Sequence, residues 1–320
     1  MRIVLAGATG FLGTALVRGL DSRGDSITVL TRRVEGRRDR FPAGVRFVQW
    51  DGKNQGEWNT ALSVADAVIN LSGESIGGGR WTPARKLRIL ESRLRPTRAL
   101  VSAFRSMSAP PRVLVNVSAI GYYGGVGSER VTEHEGPGKG FLADTCRQWE
   151  SEALAARDAG VRVVLPRIGV VLGRNDGVLR RMLPPFRLFA GGPIGSGRQW
   201  ISWVHIEDVV GALLHVLDHN ELSGPVNVVA PGPVTMDEFS RSLGRVLRRP
   251  VWLRVPGPLL RALLGEMAEL VLEGRPVEPC RLLASGYSFA YSDLAPALQS
   301  LISGEMGIPI LPPRKPAEKI

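Results

Sequence analysis

Residues 2–13 read RIVLAGATGFLG and place a short apolar run directly before a glycine-rich turn. Its three glycines follow a GxxGxxG spacing, and helical apolar spacing comes after them. In such a strand–turn–helix unit, the glycines permit the tight turn, let the backbone approach a diphosphate and let the helix pack on the sheet. The unpaired N–H groups that begin the helix favour an anion. The turn therefore predicts a dinucleotide site, with contacts from Gly7, Thr9, Gly10, Phe11, Leu12 and Gly13.

Short apolar runs alternate with longer amphipathic stretches through most of the chain. The runs expected to be strands cover residues 2–6, 26–30, 45–50, 67–71, 113–117, 161–165, 199–205 and 226–229. Helical spacing covers residues 14–20, 83–105, 142–156, 208–218 and 235–247. Near-continuously apolar strands that alternate with helices are typical of a parallel sheet covered on both faces. The sequence therefore predicts an α/β fold of the Rossmann type, with a doubly wound parallel sheet.

The composition of the chain changes after residue 173, where Gly and Pro become frequent. We expect residues 1–173, together with strand and helix elements within 199–230, to form a dinucleotide-binding Rossmann domain. Residues 174–198 and 231–303 would form a smaller C-terminal α/β substrate domain, and residues 304–320 a mobile tail. Thr235 followed by Glu238 predicts a capping box at the start of a helix in the second domain.

The end of the second predicted strand decides which dinucleotide the turn would hold. An acidic residue there binds the adenosine ribose and repels a 2′-phosphate. This chain instead has Thr31, Arg32 and Arg33 at that point. A guanidinium forms forked, charge-assisted hydrogen bonds to a phosphate. We therefore predict NADP(H) as the cofactor, with these three residues near its 2′-phosphate; the alternative is that both arginine side chains are only solvated.

Composition narrows the class of protein. The net charge is +11, but only five of the 41 basic residues are Lys, and the arginines are spread along the whole chain. A nucleic-acid binder concentrates its basic residues on one face or arm, so we expect no nucleic-acid partner. No apolar run approaches the roughly 18 residues of a membrane span, so we expect no membrane partner either. Two cysteines cannot form a disulfide framework, which favours a cytoplasmic location. We identify no metal site.

Several longer strings resemble a known family. They are AVINLSGESI at 67–76, RWTPARKLRILESR at 80–93, SAIGYYG at 118–124, WE at 149–150, PPFRLFAGGPIGSGRQWISWVHIEDV at 184–209 and NVVAPGPVT at 227–235. Together with the glycine turn they resemble the extended and atypical short-chain dehydrogenase/reductase superfamily, in its NAD-dependent epimerase/dehydratase-like oxidoreductase branch. The resemblance covers residues 1–301 and implies a Rossmann cofactor domain, a smaller substrate domain, NADP(H) and a small-molecule substrate.

The resemblance also assigns residues on the adenosine side of the cofactor. Leu71, Ser72 and Gly73 follow the fourth strand and should line that side, although Leu71 could equally be a core residue. Arg93 is either a further cofactor contact or a surface residue. Asp51, after the third strand, would either reach the adenine edge or cap its own loop.

The catalytic signature of the superfamily is absent from its usual place. Members use a Tyr-x-x-x-Lys pair, in which the Lys lowers the pKa of the Tyr, with a Ser or Thr nearby. The matching segment here reads GFLADTCR at 140–147 and contains no Tyr, while its Cys146 is expected to be a buried, inert thiol. Aligned on the superfamily's Ser-x-x-x-Tyr-Gly ending, SAIGYYG places an alanine in the Ser/Thr position. The candidates for the chemistry are therefore Ser118, one residue early, and Tyr122 and Tyr123.

Three functions are compatible with these residues. The first is an NADP(H)-dependent oxidoreductase that acts on a small carbonyl or alcohol compound. The second is a sugar epimerase or dehydratase-like enzyme that uses the cofactor transiently, although Ile201 stands where nucleotide-sugar enzymes place a diphosphate-binding Arg. The third is a non-catalytic NADP(H)-binding redox sensor, which the missing Tyr-Lys pair keeps open.

Overall fold

The computed structural model describes residues 1–36, 38–54, 56–125, 127–174 and 176–304. Within these ranges the strands are β1 Arg2–Ala6, β2 Ser26–Thr31, β3 Arg46–Gln49, β4 Ala67–Asn70, β5 Val113–Asn116, β6 Ser118–Ala119, β7 Arg162–Ile168, β8 Val170–Leu172, β9 Trp200–Ile201, β10 Trp203–His205, β11 Gly224–Val228 and β12 Val234–Thr235. The α-helices are α1 Phe11–Ser22, α2 Trp58–Ser63, α3 Pro83–Ser106, α4 Phe141–Leu154, α5 Gly177–Arg187, α6 Ile206–Asp218, α7 Met236–Leu247, α8 Gly257–Leu264, α9 Glu269–Leu272, α10 Cys280–Ala284 and α11 Leu294–Ser303.

A parallel sheet organises the first two thirds of the chain. Its strands lie in the order β11-β7-β5-β4-β1-β2-β3, and the short strand β6 also pairs with β7. The order along the chain reverses between β1 and β4, where dinucleotides bind outside the carboxyl ends of the strands in folds of this kind. The remaining strands form two small pairs, β8 with β10 and β9 with β12. The predicted doubly wound Rossmann fold is confirmed.

Helices cover both faces of this sheet because alternate residues of each strand point to opposite sides. In β1, Ile3 and Leu5 join a core that includes residues of α1 and α6. Their neighbours Val4 and Ala6 join a second core that includes residues of α3. Since both sides of the central strands are buried, the strands are continuously apolar rather than alternating.

A third core lies among the C-terminal elements. Residues of α5, α7 and α11 surround the fully buried Trp203 there. The predicted capping box is present, with Thr235 and Glu238 bonded to each other's backbone N–H at the start of α7. The domain boundaries at residues 173 and 231 stay a prediction, and residues 305–320 of the expected tail lie outside the described residues. None of the helices in the described ranges is long and apolar enough to cross a membrane.

Two predicted elements differ from the structure in extent. The strand expected over 161–165 continues to Ile168, because β11 pairs with it as far as that residue. Residues 199–205, expected as one strand, form β9 and β10 with Ser202 between them. The Ser202 hydroxyl donates to the Arg275 carbonyl (2.8 Å) and accepts from the Val277 N–H (2.8 Å), so this residue is bonded to a separate segment.

Candidate cofactor and active site

The glycine turn connects β1 to α1 at the carboxyl edge of the sheet. Gly7 has φ +76°, and a Cβ there would lie 2.6 Å from the carbonyl carbon of Leu71. A Cβ at Gly13 would lie 2.4 Å from Cα of Ala8. At Gly10, among the described atoms, the nearest to such a Cβ would be the Gly7 carbonyl oxygen, at 3.8 Å. The fold therefore needs the first and third glycines, whereas the second leaves open space for a ligand.

The start of α1 offers unpaired N–H groups to that space. Gly10 is the residue before the helix, and no side chain in the described chain caps it. The first hydrogen bond of the helix runs from the Thr14 N–H to the Gly10 carbonyl (2.9 Å), so the N–H groups before it have no partner within the helix. No acidic residue lies in the first turn. A diphosphate fits this arrangement, because its oxygens would accept hydrogen bonds from these N–H groups and lie at the positive end of the helix dipole.

The side chains of the other predicted residues of the turn pack against the protein or are partly buried in it. Phe11 packs so closely on residue 173 that a Cβ at Gly173 would lie 2.2 Å from the Phe11 ring. Leu12 packs against the core that contains α1 and α6. Thr9 is half-buried at the tip of the turn. These positions place the backbone of the turn, rather than large side chains, next to the open space at Gly10.

The side chains of the arginines after β2 are exposed. Thr31 is buried, and its hydroxyl donates to the Arg33 carbonyl (3.1 Å) and accepts from the Arg33 N–H (3.4 Å), which holds the turn. Neither the Arg32 nor the Arg33 side chain has a hydrogen-bonding or ionic partner among the described residues. Arg32 lines a cavity of about 330 Å³ together with Gln49, Trp50, Asp51, Asn54, Gly56 and Trp58.

Asp51 caps its own loop. Its carboxylate accepts hydrogen bonds from the N–H of Lys53 (2.8 Å) and of Asn54 (3.0 Å), and from the Asn54 side-chain amide (2.6 Å). These bonds, first that of the Asn54 N–H and then that of Lys53, lower the pKa of Asp51 below its usual value. Of the two alternatives for this residue, the geometry favours loop capping, at the edge of the cavity that Arg32 lines.

The segment after β4 runs beside the glycine turn. The Leu71 N–H donates to the Ala6 carbonyl (2.8 Å), and the Ser72 N–H donates to Oδ1 of Asn70 (3.1 Å). Leu71 and Ser72 are half-buried, and Gly73 is exposed. Because the Leu71 backbone also contacts Gly7, this segment forms the wall of the open space on the β4 side.

Arg93 of α3 packs against the same wall. Its Nη1 donates to the carbonyls of Ile89 (2.9 Å) and Glu74 (3.1 Å), and a Cβ at Gly73 would lie 3.1 Å from the Arg93 guanidinium carbon. Burial lowers the pKa of Arg93 below its usual value. Its guanidinium carbon also lies 5.3 Å from the centre of the Trp149 ring. Arg93 is therefore a half-buried residue that packs on this wall, and its cofactor contact stays a prediction.

A buried hydrogen-bond network holds two of the three catalytic candidates. The Ser118 hydroxyl donates to Glu150 (2.7 Å), and Arg167 forms two bonds to the same carboxylate (2.9 and 2.8 Å). Arg167 also donates to the Tyr123 hydroxyl (2.9 Å), which in turn donates to Asn227 (2.7 Å). All five side chains are buried.

This network makes Tyr123 a poor proton donor. Burial raises its pKa to about 12, even though the Arg167 charge and hydrogen bond act in the opposite direction. Its proton is also committed to Asn227. The Ser118 hydroxyl is similarly committed to Glu150, so neither hydroxyl can reach a substrate without breaking a buried hydrogen bond.

Tyr122 is the remaining candidate. It is half-buried, and its ring centre lies 3.5 Å from the guanidinium carbon of Arg167. The two tyrosine rings meet edge to face, with centres 5.5 Å apart. Within the described part of the chain, the Tyr122 hydroxyl has no hydrogen-bond partner, so of the three candidates it alone is free to bond a substrate.

The sequence reasoning missed the acidic and basic members of this network. Glu150 lies four residues after Cys146, on the same face of α4, at the spacing of the superfamily's Tyr-Lys pair. Cys146 is buried as expected, and burial, followed by the Glu150 charge, raises the pKa of its thiol to about 11. The available signals were this four-residue spacing and the charged Arg167 within the apolar residues that follow Arg162 in strand β7.

The chain matches known proteins over most of its length. Residues 3–230 match the NAD dependent epimerase/dehydratase family, and residues 255–301 match a domain of unknown function, DUF1731. An epimerase family protein from Arabidopsis thaliana, the chloroplastic SDR39U1 homolog, is 41% identical over 94% of this chain and 87% of that protein. Epimerase family protein YfhF from Bacillus subtilis is 38% identical over 95% of this chain and 98% of that protein.

A solved structure shows the same architecture. The human epimerase family protein SDR39U1 (isoform 2), crystallised with NADPH, superposes with a TM-score of 0.85 at 35% sequence identity. The match covers 95% of this chain and 99% of the human chain. With the parallel sheet, the glycine turn and these matches, the chain belongs to the NAD-dependent epimerase/dehydratase family.

Proposed function

We propose that this protein is an NADP(H)-dependent oxidoreductase that acts on a small carbonyl or alcohol compound. The observation that carries the proposal is the exposed pair Arg32 and Arg33, whose side chains have no partner among the described residues, with Arg32 lining a cavity of about 330 Å³. A carboxylate at the end of β2 would favour NAD(H), whereas a guanidinium accommodates the extra phosphate of NADP(H). The human relative crystallised with NADPH supports the same cofactor.

Different residues around the turn would bind different parts of the cofactor. The open backbone at Gly10 and the start of α1 hold the diphosphate, and Arg32 and Arg33 hold the 2′-phosphate. The segment 71–73, backed by Arg93, lines the adenosine side. When bound, the nicotinamide ring supplies or accepts the hydride.

Tyr122 exchanges the proton with the substrate oxygen, because its hydroxyl is the free one among the three candidates in the described chain. Arg167 holds the Tyr122 ring from one face, at 3.5 Å. Arg167 is itself held by Glu150, so the network below the site positions the phenol rather than reacting.

The cofactor assignment is tested by Arg32→Asp. Each charge-assisted hydrogen bond to phosphate contributes roughly 1.5–3 kcal/mol, so we expect the preference for NADPH over NADH to fall by about tenfold or more. Calorimetric titration with each cofactor measures the preference. Arg46→Asp makes the same change in net charge at an exposed arginine of β3 that has no side-chain partner in the described ranges, and it should leave the ratio unchanged. If the ratio of NADPH affinity to NADH affinity were the same in Arg32→Asp as in Arg46→Asp, Arg32 would not select the cofactor.

The reaction is tested by following NADPH absorbance with a panel of aldehydes and ketones. Substrate-dependent oxidation that is lost in Tyr122→Phe supports the reductase and its proton donor. Conversion of a sugar substrate with no net change in NADPH would instead identify an epimerase or dehydratase-like enzyme.

A redox sensor that binds NADP(H) without turnover is the second candidate. It is favoured by the hydrogen bonds of the Ser118 and Tyr123 hydroxyls to buried partners and by the lack of a Tyr-Lys pair on α4. Tight NADPH binding without oxidation by any compound of the panel would support it.

Cys146 and Cys280 are both free thiols, which supports the proposed cytoplasmic location.

A further inference from the structure

A basic pocket lies at the C-terminal end of α7, and none of its residues belongs to the cofactor or catalytic groups described above. Its volume is about 360 Å³, within the range of small-ligand sites. It is lined by Arg241, Gly244, Arg245, Arg248, Arg249 and Val251. Four of its six lining residues therefore carry a positive charge.

Three of these arginines lie at the C-terminal end of the helix. Arg241 and Arg245 are four residues apart, which brings their side chains together on the surface of α7, and Arg248 is the residue that follows the helix. Like charges at this spacing destabilise a helix. None of the three side chains has a hydrogen-bonding or ionic partner within the ranges that the structure describes. An anion from outside would relieve their repulsion.

The chain after the helix folds back and lines one side of the open pocket. A Cβ at Gly244 would lie 2.2 Å from Cγ2 of Val251, so the glycine permits this close approach. The Arg249 N–H donates to the Gly244 carbonyl (2.8 Å). Arg248 has φ +54° and ψ 49°, the left-handed conformation that usually selects glycine at a helix end. An arginine therefore occupies this position at a conformational cost.

Arg249 adds a buried donor that has no acceptor. Its Nε is buried and lacks a hydrogen-bond partner in the described chain, which is rare for a buried polar group. Its guanidinium carbon lies 4.4 Å from the centre of the Phe189 ring, and its Nη1 donates to the Arg248 carbonyl (3.2 Å). Phe189 also has a positive φ, +60°. Two strained residues thus adjoin Arg249.

We propose that this pocket is a binding site for a ligand that carries a phosphate or diphosphate group. Guanidinium groups bind phosphate oxygens through paired, charge-assisted hydrogen bonds, and several guanidinium groups line the same cavity here. A phosphate would supply acceptors to the exposed guanidinium groups of Arg241, Arg245 and Arg248, which have no partner among the described residues, and would offset the repulsion along α7. Both a soluble phosphate ester and a lipid headgroup offer this chemistry.

Calorimetric titration with pyrophosphate at low ionic strength tests the site on the full chain, with saturating NADPH present. We expect saturable binding that becomes about tenfold or more weaker in R241Q/R245Q, since two charge-assisted contacts are lost. The matched control is R46Q/R112Q, which removes two exposed arginines of the sheet region that lack a side-chain partner in the part of the chain that the structure describes, and it should bind as the wild type does. Absence of saturable binding, or equal weakening in both variants, would overturn the proposal.

Vesicles distinguish the two sources of phosphate. Flotation with phosphatidylcholine vesicles, with and without phosphatidylglycerol, is measured for the same three proteins. Pyrophosphate binding without vesicle binding identifies a soluble ligand, and additional vesicle binding lost only in R241Q/R245Q identifies a headgroup. Vesicle binding that falls equally in both variants, with no pyrophosphate binding, reports overall charge alone and contradicts the site. These outcomes do not depend on the proposed reductase function, because the pocket shares no residue with it.

Discussion

The guanidinium carbon of Arg167 lies 3.5 Å from the centre of the Tyr122 ring, and the same guanidinium forms two hydrogen bonds with Glu150. Side-chain exposure of the Arg167–Glu150 pair is only 4% and 6%, so water does not screen it. Although burial opposes its charge, the hydrogen bond and charge of Glu150 hold the pKa of Arg167 above its usual value. The Tyr122 ring, whose hydroxyl has no partner among the described residues, therefore lies against a buried guanidinium that stays positively charged.

Removing the carboxylate should destabilise the fold strongly. Glu150→Ala leaves the Arg167 charge buried without a partner, which costs about 3–5 kcal/mol of unfolding free energy. Urea denaturation measures the loss. The control is Asp158→Ala, which breaks an exposed pair with Arg105 and should change stability by less than about 1 kcal/mol. Similar losses in the two variants would show that burial does not govern the pair.

The two neighbouring tyrosines should respond differently to loss of the hydroxyl. Tyr123→Phe leaves Nη1 of Arg167 and Oδ1 of Asn227 without the buried hydrogen bond that each makes to the Tyr123 hydroxyl, and we expect it to lower the unfolding free energy by about 1–3 kcal/mol. Tyr122→Phe should leave stability unchanged but abolish substrate-dependent NADPH oxidation. Denaturation and turnover are measured on both variants. Full activity in Tyr122→Phe would exclude that phenol as the proton donor.

Substitutions at two glycines of the turn should affect stability and cofactor binding separately. Gly13→Ala places a Cβ where the Ala8 backbone lies, and overpacking of this kind costs about 1–3 kcal/mol of stability. Gly10→Ala meets no such contact in the described chain, so stability should change by less than about 1 kcal/mol. Its methyl group would instead occupy the space assigned to the diphosphate and weaken NADPH binding. Denaturation and calorimetry check both effects; unchanged NADPH affinity in Gly10→Ala would place the diphosphate elsewhere.

His205 should make the fold sensitive to acid. It is fully buried, with Nδ1 accepting from the Glu207 N–H, and burial lowers its pKa to about 4. The unfolded chain, with a histidine pKa of about 6.5, binds a proton between these values that the folded chain does not. The stabilising contribution of neutral His205 is therefore complete above pH 6.5 and is lost as the pH falls towards 4.

The variant His205→Asn keeps a side-chain acceptor at the start of α6 but does not titrate. Relative to this variant, the wild type should lose on the order of 2 kcal/mol of unfolding free energy between pH 7 and pH 5. The carboxyl groups of Glu207 and Asp208, whose pKa values burial raises to about 7 and about 6, act in the opposite direction. Since both proteins contain them, the difference between the two urea titrations isolates His205; a difference that does not vary with pH would contradict the assignment.

Local patterns in the sequence predicted much of the fold. The glycine turn, the apolar strands and the capping box at Thr235 each depend on residues close together in the chain, so their spacing is visible without a structure. The roles of Gly7 and Gly13 follow in the same way from strand–turn–helix geometry, and the backbone contacts agree with them. The choice of Arg32 and Arg33 as phosphate contacts also came from their position directly after a strand.

The amino-acid sequence by itself determined the parallel sheet, the place of the cofactor turn and the lack of a Tyr-Lys pair on α4. Only the tertiary structure decided which candidate hydroxyl is free. Ser118, Tyr123 and Asn227 meet Glu150 and Arg167 because β5 and β11 flank β7, although Tyr123 and Asn227 are 104 residues apart in the chain. Spacing along the chain determines which face of an element a side chain occupies, whereas its buried hydrogen-bond partners depend on the order in which the strands assemble.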